Sequence, residues 1–215
     1  MLHKAYVGLI AAALAAALIA GCGLSRNTGM ARGRDLFKTC VPCHGENGHG
    51  NLDLRAPAIA GLPEWYIVAE LQKFKGGIRG SHPDDNEGHR MSPMARTLHN
   101  EGDLETVAKY VASMPVTWMA PAFKGDDAAA GMATYTGICA TCHGPDGKGN
   151  KDMGSPPIVY QSDWYLVAQL GKFQSGMRGS NPQDITGGQM RAMSLTMPDT
   201  TAMHNVVAYL KTLPH

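Results

Sequence analysis

The chain has 215 residues with 19 basic and 18 acidic side chains, a formal net charge of +1, and that balance supplies no field for a polyanion, which excludes nucleic acid as a partner. Its length fits one ordinary domain or two small ones, and small domains bury so little core that they usually carry a staple. Aromatic residues make up only 7% of the chain against 26 glycines and 13 prolines, so long loops must be organised by something other than side-chain packing.

The first element is an export signal. Lys4 precedes an apolar stretch from Ala5 to Ala20, 16 residues long, followed by Gly21 and Cys22. That stretch is short for a spanning helix, which needs about 20 residues. The tetrapeptide Ile19, Ala20, Gly21, Cys22 resembles a bacterial lipobox, which predicts a lipoprotein-type signal peptide over 1–21 and lipidation at Cys22. An ordinary signal peptide or an uncleaved anchor places the folded part on the same side. The expectation is an exported protein, periplasmic or on the outer face of the cytoplasmic membrane, lipid-anchored.

Three helical stretches follow. One carries Phe37 and precedes Cys40; a second is marked by Ile67, Leu71 and Phe74; a third runs through Leu104, Val107, Ala108 and Val111. The spacings are helical, Pro63 suits a first helical position, and Asp103 suits a cap. From Pro115 onward Pro121, Gly125 and the Asp126-Asp127 pair read as a linker over 116–127, in which Trp118 and Phe123 are expected to pack on a domain surface. The same three stretches then recur: Tyr135 before Cys139, then Leu166, Leu170 and Phe173, then Met203, Val206, Val207 and Leu210, with Ser162 and Asp199 as caps.

The recurrence is a duplication. At an offset of 99 residues, with no gap from the first CxxCH to the end, Cys40 matches Cys139, His44 matches His143, Pro57 matches Pro156, Trp65 matches Trp164, Arg79 matches Arg178, Met91 matches Met190 and Tyr110 matches Tyr209. Two tandem domains follow, 30–115 and 128–215. Alternating apolar strands are absent, so the class is all-α, with long Gly- and Pro-rich loops.

The chemistry lies in Cys40-Val41-Pro42-Cys43-His44 and Cys139-Ala140-Thr141-Cys142-His143. This is the attachment signature of c-type haem: two thiols reach the vinyl groups and the adjacent His meets the iron. A zinc site would want a further ligand pair in each half, and after Cys22 no Cys is left over. Two covalent haem c groups are expected, with His44 and His143 on the iron. None of the other seven His has a His at its repeat counterpart, whereas Met91 pairs with Met190 and Met94 with Met193. One of these two pairs is expected to supply the sixth ligands; Met91 and Met190 are assigned to the iron and Met94 and Met193 to packing at the haem edge, the alternative being that Met94 or Met193 takes the ligand's place.

With the Pro-x-Ile segments at Pro57 and Pro156, the Trp-Tyr helices, the Gly-x-Arg-Gly segments at Arg79 and Arg178 and the Met-x-x-Met loops, the chain resembles class I dihaem cytochromes of the cytochrome c4 type. The resemblance implies that the Pro57 and Pro156 carbonyls accept from the axial His rings. It also supports the first Met of each loop as ligand. Domain two departs from the pattern, reading Pro156-Pro157-Ile158-Val159-Tyr160 against Pro57-Ala58-Ile59-Ala60-Gly61, which puts that loop's conformation in question. Arg79 and Arg178 are candidates to pair with propionates, while Trp65 and Trp164, with Tyr66 and Tyr165, are expected to line the haem crevice.

His and Met ligation leaves no open iron position and raises the potential. The expected function is electron transfer in a respiratory chain between a quinol-oxidising complex and a terminal oxidase or reductase, with no small-molecule substrate. The alternatives are a dihaem redox enzyme, either a peroxidase or a sulfur-compound dehydrogenase for which His89 and His99 are the nearest spare ligands, and a fixed electron-transfer subunit of a larger oxidoreductase.

Overall fold

The computed structural model describes residues 29–116, 121–124 and 126–214. The signal segment, Cys22 and Trp118 lie outside them. In the first half the helices are α1 (Met30–Phe37), α2 (Val41–His44), α3 (Glu64–Lys75), α4 (Asn86–Arg96) and α5 (Asp103–Ala112). In the second they are α6 (Ala128–Thr134), a π-helical turn (Tyr135–Cys139), α7 (Ala140–His143), α8 (Asp163–Gln174), α9 (Ile185–Ser194) and α10 (Thr200–Leu210). Among the described residues the only β-like features are the isolated bridges Asn51 with Ala56 and Asn150 with Ser155. No helix among them is long and apolar enough to cross a membrane.

Each half has its own core. In the first, α1 packs on α5 and α3 on both α4 and α5, burying Phe37, Leu98, Val107, Val111 and Met114. In the second, α6 packs on α10 and α8 on both α9 and α10, burying Tyr135, Val159, Met203, Val206 and Leu210. The apolar residues that repeat at helical spacing in α5 and α10 are the ones these cores bury. Phe37 and Tyr135 hold equivalent places, their rings 5.7 Å from Tyr110 and 5.5 Å from Tyr209. Phe123 lies against the second half, its ring 4.4 Å from His204 and its backbone N–H donating to Asp163 Oδ2 at 2.8 Å.

The helix starts differ in detail from the expected ones. Pro63 precedes α3 rather than opening it, and Ser162 precedes α8 without a side-chain cap bond. Asp103 is the first residue of α5, preceded by Gly102, and its carboxylate reaches back to Asn100 and across to Arg32. Asp199 does cap α10, accepting from the Ala202 N–H at 2.9 Å. The larger difference is that both Met-bearing segments are helices, α4 and α9, where loops were expected. Each carries a methionine pair at i and i+3, Met91 with Met94 and Met190 with Met193, but Pro93 interrupts α4 and Gly187 and Gly188 interrupt α9, which obscures the helix in the sequence. Asp85 and Asp184 start them, accepting from the Gly88 and Gly187 N–H at 3.1 Å and 3.0 Å.

The halves meet along α3 and α8 in a pseudo-symmetric face. Arg79 and Arg178 each stand over their own phenylalanine ring, Phe74 at 4.4 Å and Phe173 at 4.3 Å, and converge on Glu70 and Gln169 from opposite sides. Gln161 Nε2 adds a buried bond to the Ala58 carbonyl at 3.0 Å.

Candidate haem-binding site

Each attachment motif lies on a short helix that delivers its histidine inward: His44 is 7% exposed and His143 9%. After each histidine the chain doubles back. The Gly50 N–H bonds the His44 carbonyl at 2.9 Å and the Gly149 N–H bonds the His143 carbonyl at 2.8 Å. Gly50 has φ +83°, and a Cβ there would lie 2.6 Å from the Ala56 oxygen and the Pro57 carbonyl carbon. Only glycine allows that approach, and Gly149, at φ +81°, repeats it. The approach brings the Pro57 and Pro156 carbonyls within 2.9 Å of His44 Nδ1 and His143 Nδ1.

That contact sets the tautomer. A carbonyl only accepts, so Nδ1 carries the proton and Nε2 keeps its lone pair free for a metal. Burial pushes both imidazoles below the usual histidine range, against the opposing pull of the carbonyl bond, which keeps the rings neutral. The prolines differ in sequence context but not in conformation: Ile59 and Ala60 bond the Gly48 carbonyl at 2.7 Å and 3.0 Å, and Ile158 and Val159 bond that of Gly147 at 2.8 Å and 3.1 Å. Pro157 therefore replaces Ala58 without disturbing the ladder.

A cavity of about 380 Å³ with largely apolar walls runs through both halves. Cys40, His44 and Met91 border it in the first half, and Cys142, His143 and Met190 in the second. Met91 and Met190 are half-buried, whereas Met94 and Met193, also on its walls, are 39% and 43% exposed. Trp164 lines the cavity and its buried Nε1 has no partner among the described residues. Trp65 does not border it; it is half-buried with its ring 5.8 Å from Tyr66. The two halves thus use this repeat position differently.

Arg79 and Arg178 border the cavity where it crosses the domain boundary, and the Nε of each is buried without a partner. Arg178 donates to Glu70 Oε2 at 3.0 Å and to Gln169 Oε1 at 2.7 Å; Arg79 pairs with Glu70 and reaches Gln169 Oε1 and Tyr165 Oη at 3.2 Å. Burial pushes the Glu70 carboxyl up, but Arg79, Arg178 and Lys73 outweigh it and hold the group down at about 2. Two guanidiniums against one carboxylate leave a surplus positive charge on the wall. Orphaned buried donors, a surplus cation and two imidazoles with free Nε2 atoms fit a group that carries both a metal and carboxylates, as haem does.

Sequence reasoning did not single out Glu70, Lys73, Lys172, Asp85 or Asp184. The signal was present for the last four, because Lys73 matches Lys172 and Asp85 matches Asp184 at the same offset of 99.

The cytochrome c family profile matches residues 30–115 and 128–214. The chain is 33% identical to a thiosulfate dehydrogenase electron acceptor of Stutzerimonas stutzeri, over 72% of either chain. It is 28% identical to cytochrome c4 of Azotobacter vinelandii, over 86% of this chain and 91% of that one. The crystal structure of reduced recombinant cytochrome c4 from Pseudomonas stutzeri superposes on it with a TM-score of 0.66 at 27% identity, covering 87% of this chain and all of the other. The chain belongs to the cytochrome c family: it is a dihaem, cytochrome c4-like electron-transfer protein with two covalently attached haem c groups.

Proposed function

We propose that the chain is an electron carrier rather than an enzyme, exported and tethered by a lipid at Cys22, passing electrons in a respiratory chain from a quinol-oxidising complex to a terminal oxidase or reductase. The observation that carries this reading is the equivalence of the two crevices: each holds a buried histidine locked in one tautomer, at 2.9 Å from Pro57 or Pro156, with a repeat-matched methionine on the same cavity. His44 with Met91, and His143 with Met190, would hold the two irons. Bound haem iron supplies one-electron cycling between ferrous and ferric states.

The protein's own groups do the rest. The Pro57 and Pro156 carbonyls hold the imidazole rings and raise their basicity. The apolar walls exclude water from the iron. Arg79, Arg178 and Trp164 carry unpartnered buried donors on the cavity wall, which would hold the propionates.

The 33% identity to a thiosulfate dehydrogenase electron acceptor favours a second reading of the donor. In it a sulfur-compound dehydrogenase, not a quinol-oxidising complex, supplies the electrons; the chain remains a carrier in both.

The test is the visible spectrum of the purified protein, ferric and then ferrous with and without carbon monoxide. Two haems per chain, a weak far-red band from sulfur-ligated ferric iron and no response to carbon monoxide are expected. A carbon monoxide shift in half the haem would show an open iron and return the protein to the enzyme class. Reduction by quinol-oxidising membranes, compared with reduction by a sulfur-compound dehydrogenase, separates the two donors.

A further inference from the structure

Lys73 and Lys172 occupy the same repeat position, and each reaches out of its own half. Lys172 Nζ pairs with Asp85 Oδ1 and, at 2.7 Å, with Glu87 Oε2. Lys73 Nζ lies 2.8 Å from Asp184 Oδ1 and 3.0 Å from Thr186 Oγ1. The aspartates are the caps that start α4 and α9, 1% and 3% exposed. In each case the oxygen that takes the ammonium is the one that takes the capping N–H, from Gly88 at 3.1 Å and from Gly187 at 3.0 Å. Glu87 and Thr186 are the second residues of the same two helices. Each lysine therefore grips two points on the first turn of the helix that carries the other half's Met91 or Met190.

Those first turns are fixed from their own side chiefly by backbone packing, joined in the first half by Arg55 Nε, 2.7 Å from Glu87 Oε1. Gly80 and Gly179 have φ +78° and +74°, and a Cβ on Gly80 would lie 2.6 Å from the Gly88 carbonyl oxygen, so the Gly-x-Arg-Gly segment is packed directly under the turn. Ser92 Oγ adds a bond to the Gly88 carbonyl at 3.1 Å. Side-chain anchorage of the cap by charge comes from across the domain boundary. The two grips are not equal. Lys172 faces two carboxylates, whereas Lys73 faces one carboxylate and a hydroxyl and is shared with Glu70 of its own half at 3.0 Å.

We infer that Lys172 and Lys73 are positioning residues that act crosswise: Lys172 of the second half holds the methionine ligand helix of the first, and Lys73 of the first half holds that of the second. A buried cap carboxylate stripped of its cation must either hydrate or turn away, and either movement shifts the turn from which the ligand helix runs. Iron ligation in one half thus depends on contacts made by the other, which couples the two haem sites through the protein.

The inference rests on Met91 and Met190 being the iron ligands, and the experiment tests that separately. In the full-length dihaem protein, proton NMR of the ferrous state resolves the ring-current-shifted methyl of each iron-bound methionine. Loss of one signal in Met91→Ala and of the other in Met190→Ala assigns them; if neither variant removes a signal, the ligand reading fails. Imidazole added to the ferric protein then competes with each methionine. Lys172→Met is expected to raise imidazole affinity about tenfold at the first-half haem, about a pK unit, and to leave the second unchanged. Lys73→Met is expected to do the reverse by a smaller factor, and Lys172→Arg to restore the wild-type value. No change in either variant, an equal change at both haems, or a change only in the half that bears the substitution would overturn the crosswise assignment. The same holds if the scattering radius of a variant grows while both methionine signals keep wild-type imidazole affinities.

Discussion

The two halves descend from one sequence, and the places where they differ show which features the fold can trade. Downstream of the attachment motif they align at an offset of 99, but upstream the equivalents are Gly33 with Gly131 and Phe37 with Tyr135, an offset of 98. The second half has one residue more between its buried ring and its first cysteine. The π-helical turn at Tyr135–Cys139 absorbs it, as single insertions in helices do. The haem-bearing cysteines keep their place relative to the core, and the surplus residue is taken up in the turn. The second informative difference is Glu70 against Gln169, which gives one carboxylate to a boundary flanked by two arginines. The His–Pro contact is duplicated faithfully; charge at the boundary is not.

Glu70→Gln makes the halves equal at that position and is expected to have the largest effect. It strips the anion from two buried guanidiniums, and removing one partner of a buried pair costs about 3 kcal/mol. Chemical denaturation should show that loss near neutral pH, with much of it recovered in Glu70→Gln/Gln169→Glu. The pH dependence gives an independent check. The Glu70 carboxyl is held at about 2 against an ordinary 4.5. A depressed carboxylate contributes its full stability above the unfolded value and loses it as pH falls through the folded one. Wild type should thus weaken from pH 4.5 down to about 2 more steeply than Glu70→Gln, and parallel curves would show that Glu70 is not the titrating group.

The helix crossing that opens each half is a further point of comparison. A Cβ on Gly33 would meet Tyr110 Cβ at 2.5 Å and the Thr106 oxygen at 2.7 Å, whereas on Gly131 it would collide outright with the Asn205 carbonyl. Overpacking of this kind costs about 2 kcal/mol. Gly131→Ala is expected to lower the thermal midpoint more than Gly33→Ala. The reverse order would mean that α6, which runs into the π-helical turn, yields more readily than α1.

What could be read in advance divides along the same line. The attachment motifs, the repeat and the helices with apolar period, α3, α5, α8 and α10, were legible because burial and covalent chemistry impose local patterns. The His–Pro contact was implied only by resemblance, since a bond between residues 13 apart depends on a loop whose shape glycine permits but does not announce. α4 and α9 were missed because Pro93 and the Gly187-Gly188 pair break their pattern, and because the aspartate cap, the cross-domain lysine and the close packing on Gly80 and Gly179 that start them leave no local signal. The boundary itself was hidden: nothing in the local sequence around Glu70, Lys73 or Asp85 announces their partners Arg178, Asp184 and Lys172 in the other half. The extra residue before Cys139 was invisible to a register measured from the motif onward.

Tyr135 offers a smaller test. Its hydroxyl donates to the Gly144 carbonyl at 2.8 Å, a bond that Phe37 cannot make in the first half. Tyr135→Phe makes the halves alike and is expected to cost about 1 kcal/mol. If the extra hydroxyl compensates for the inserted residue, the effect should appear as faster amide exchange along the π-helical turn and not in α1.

The smallest effect is expected at Arg55, which sits at φ +51° where the second half has Gly154 at +66°. A side chain in the left-handed region costs about 1 kcal/mol, so Arg55→Gly relieves strain. Two terms oppose it. Glycine gives the unfolded chain more freedom, about 0.5 to 1 kcal/mol, and the substitution removes the Arg55 Nε contact to Glu87 Oε1 at 2.7 Å, a partly exposed pair of small worth. The net change should be within about 0.5 kcal/mol of zero, the usual range for a surface substitution. Glu87 also takes Lys172, so a clear loss of stability would mean that Arg55 helps hold Glu87 under that lysine, and that the strained residue is kept for the cross-domain grip that the second half builds with Thr186 instead.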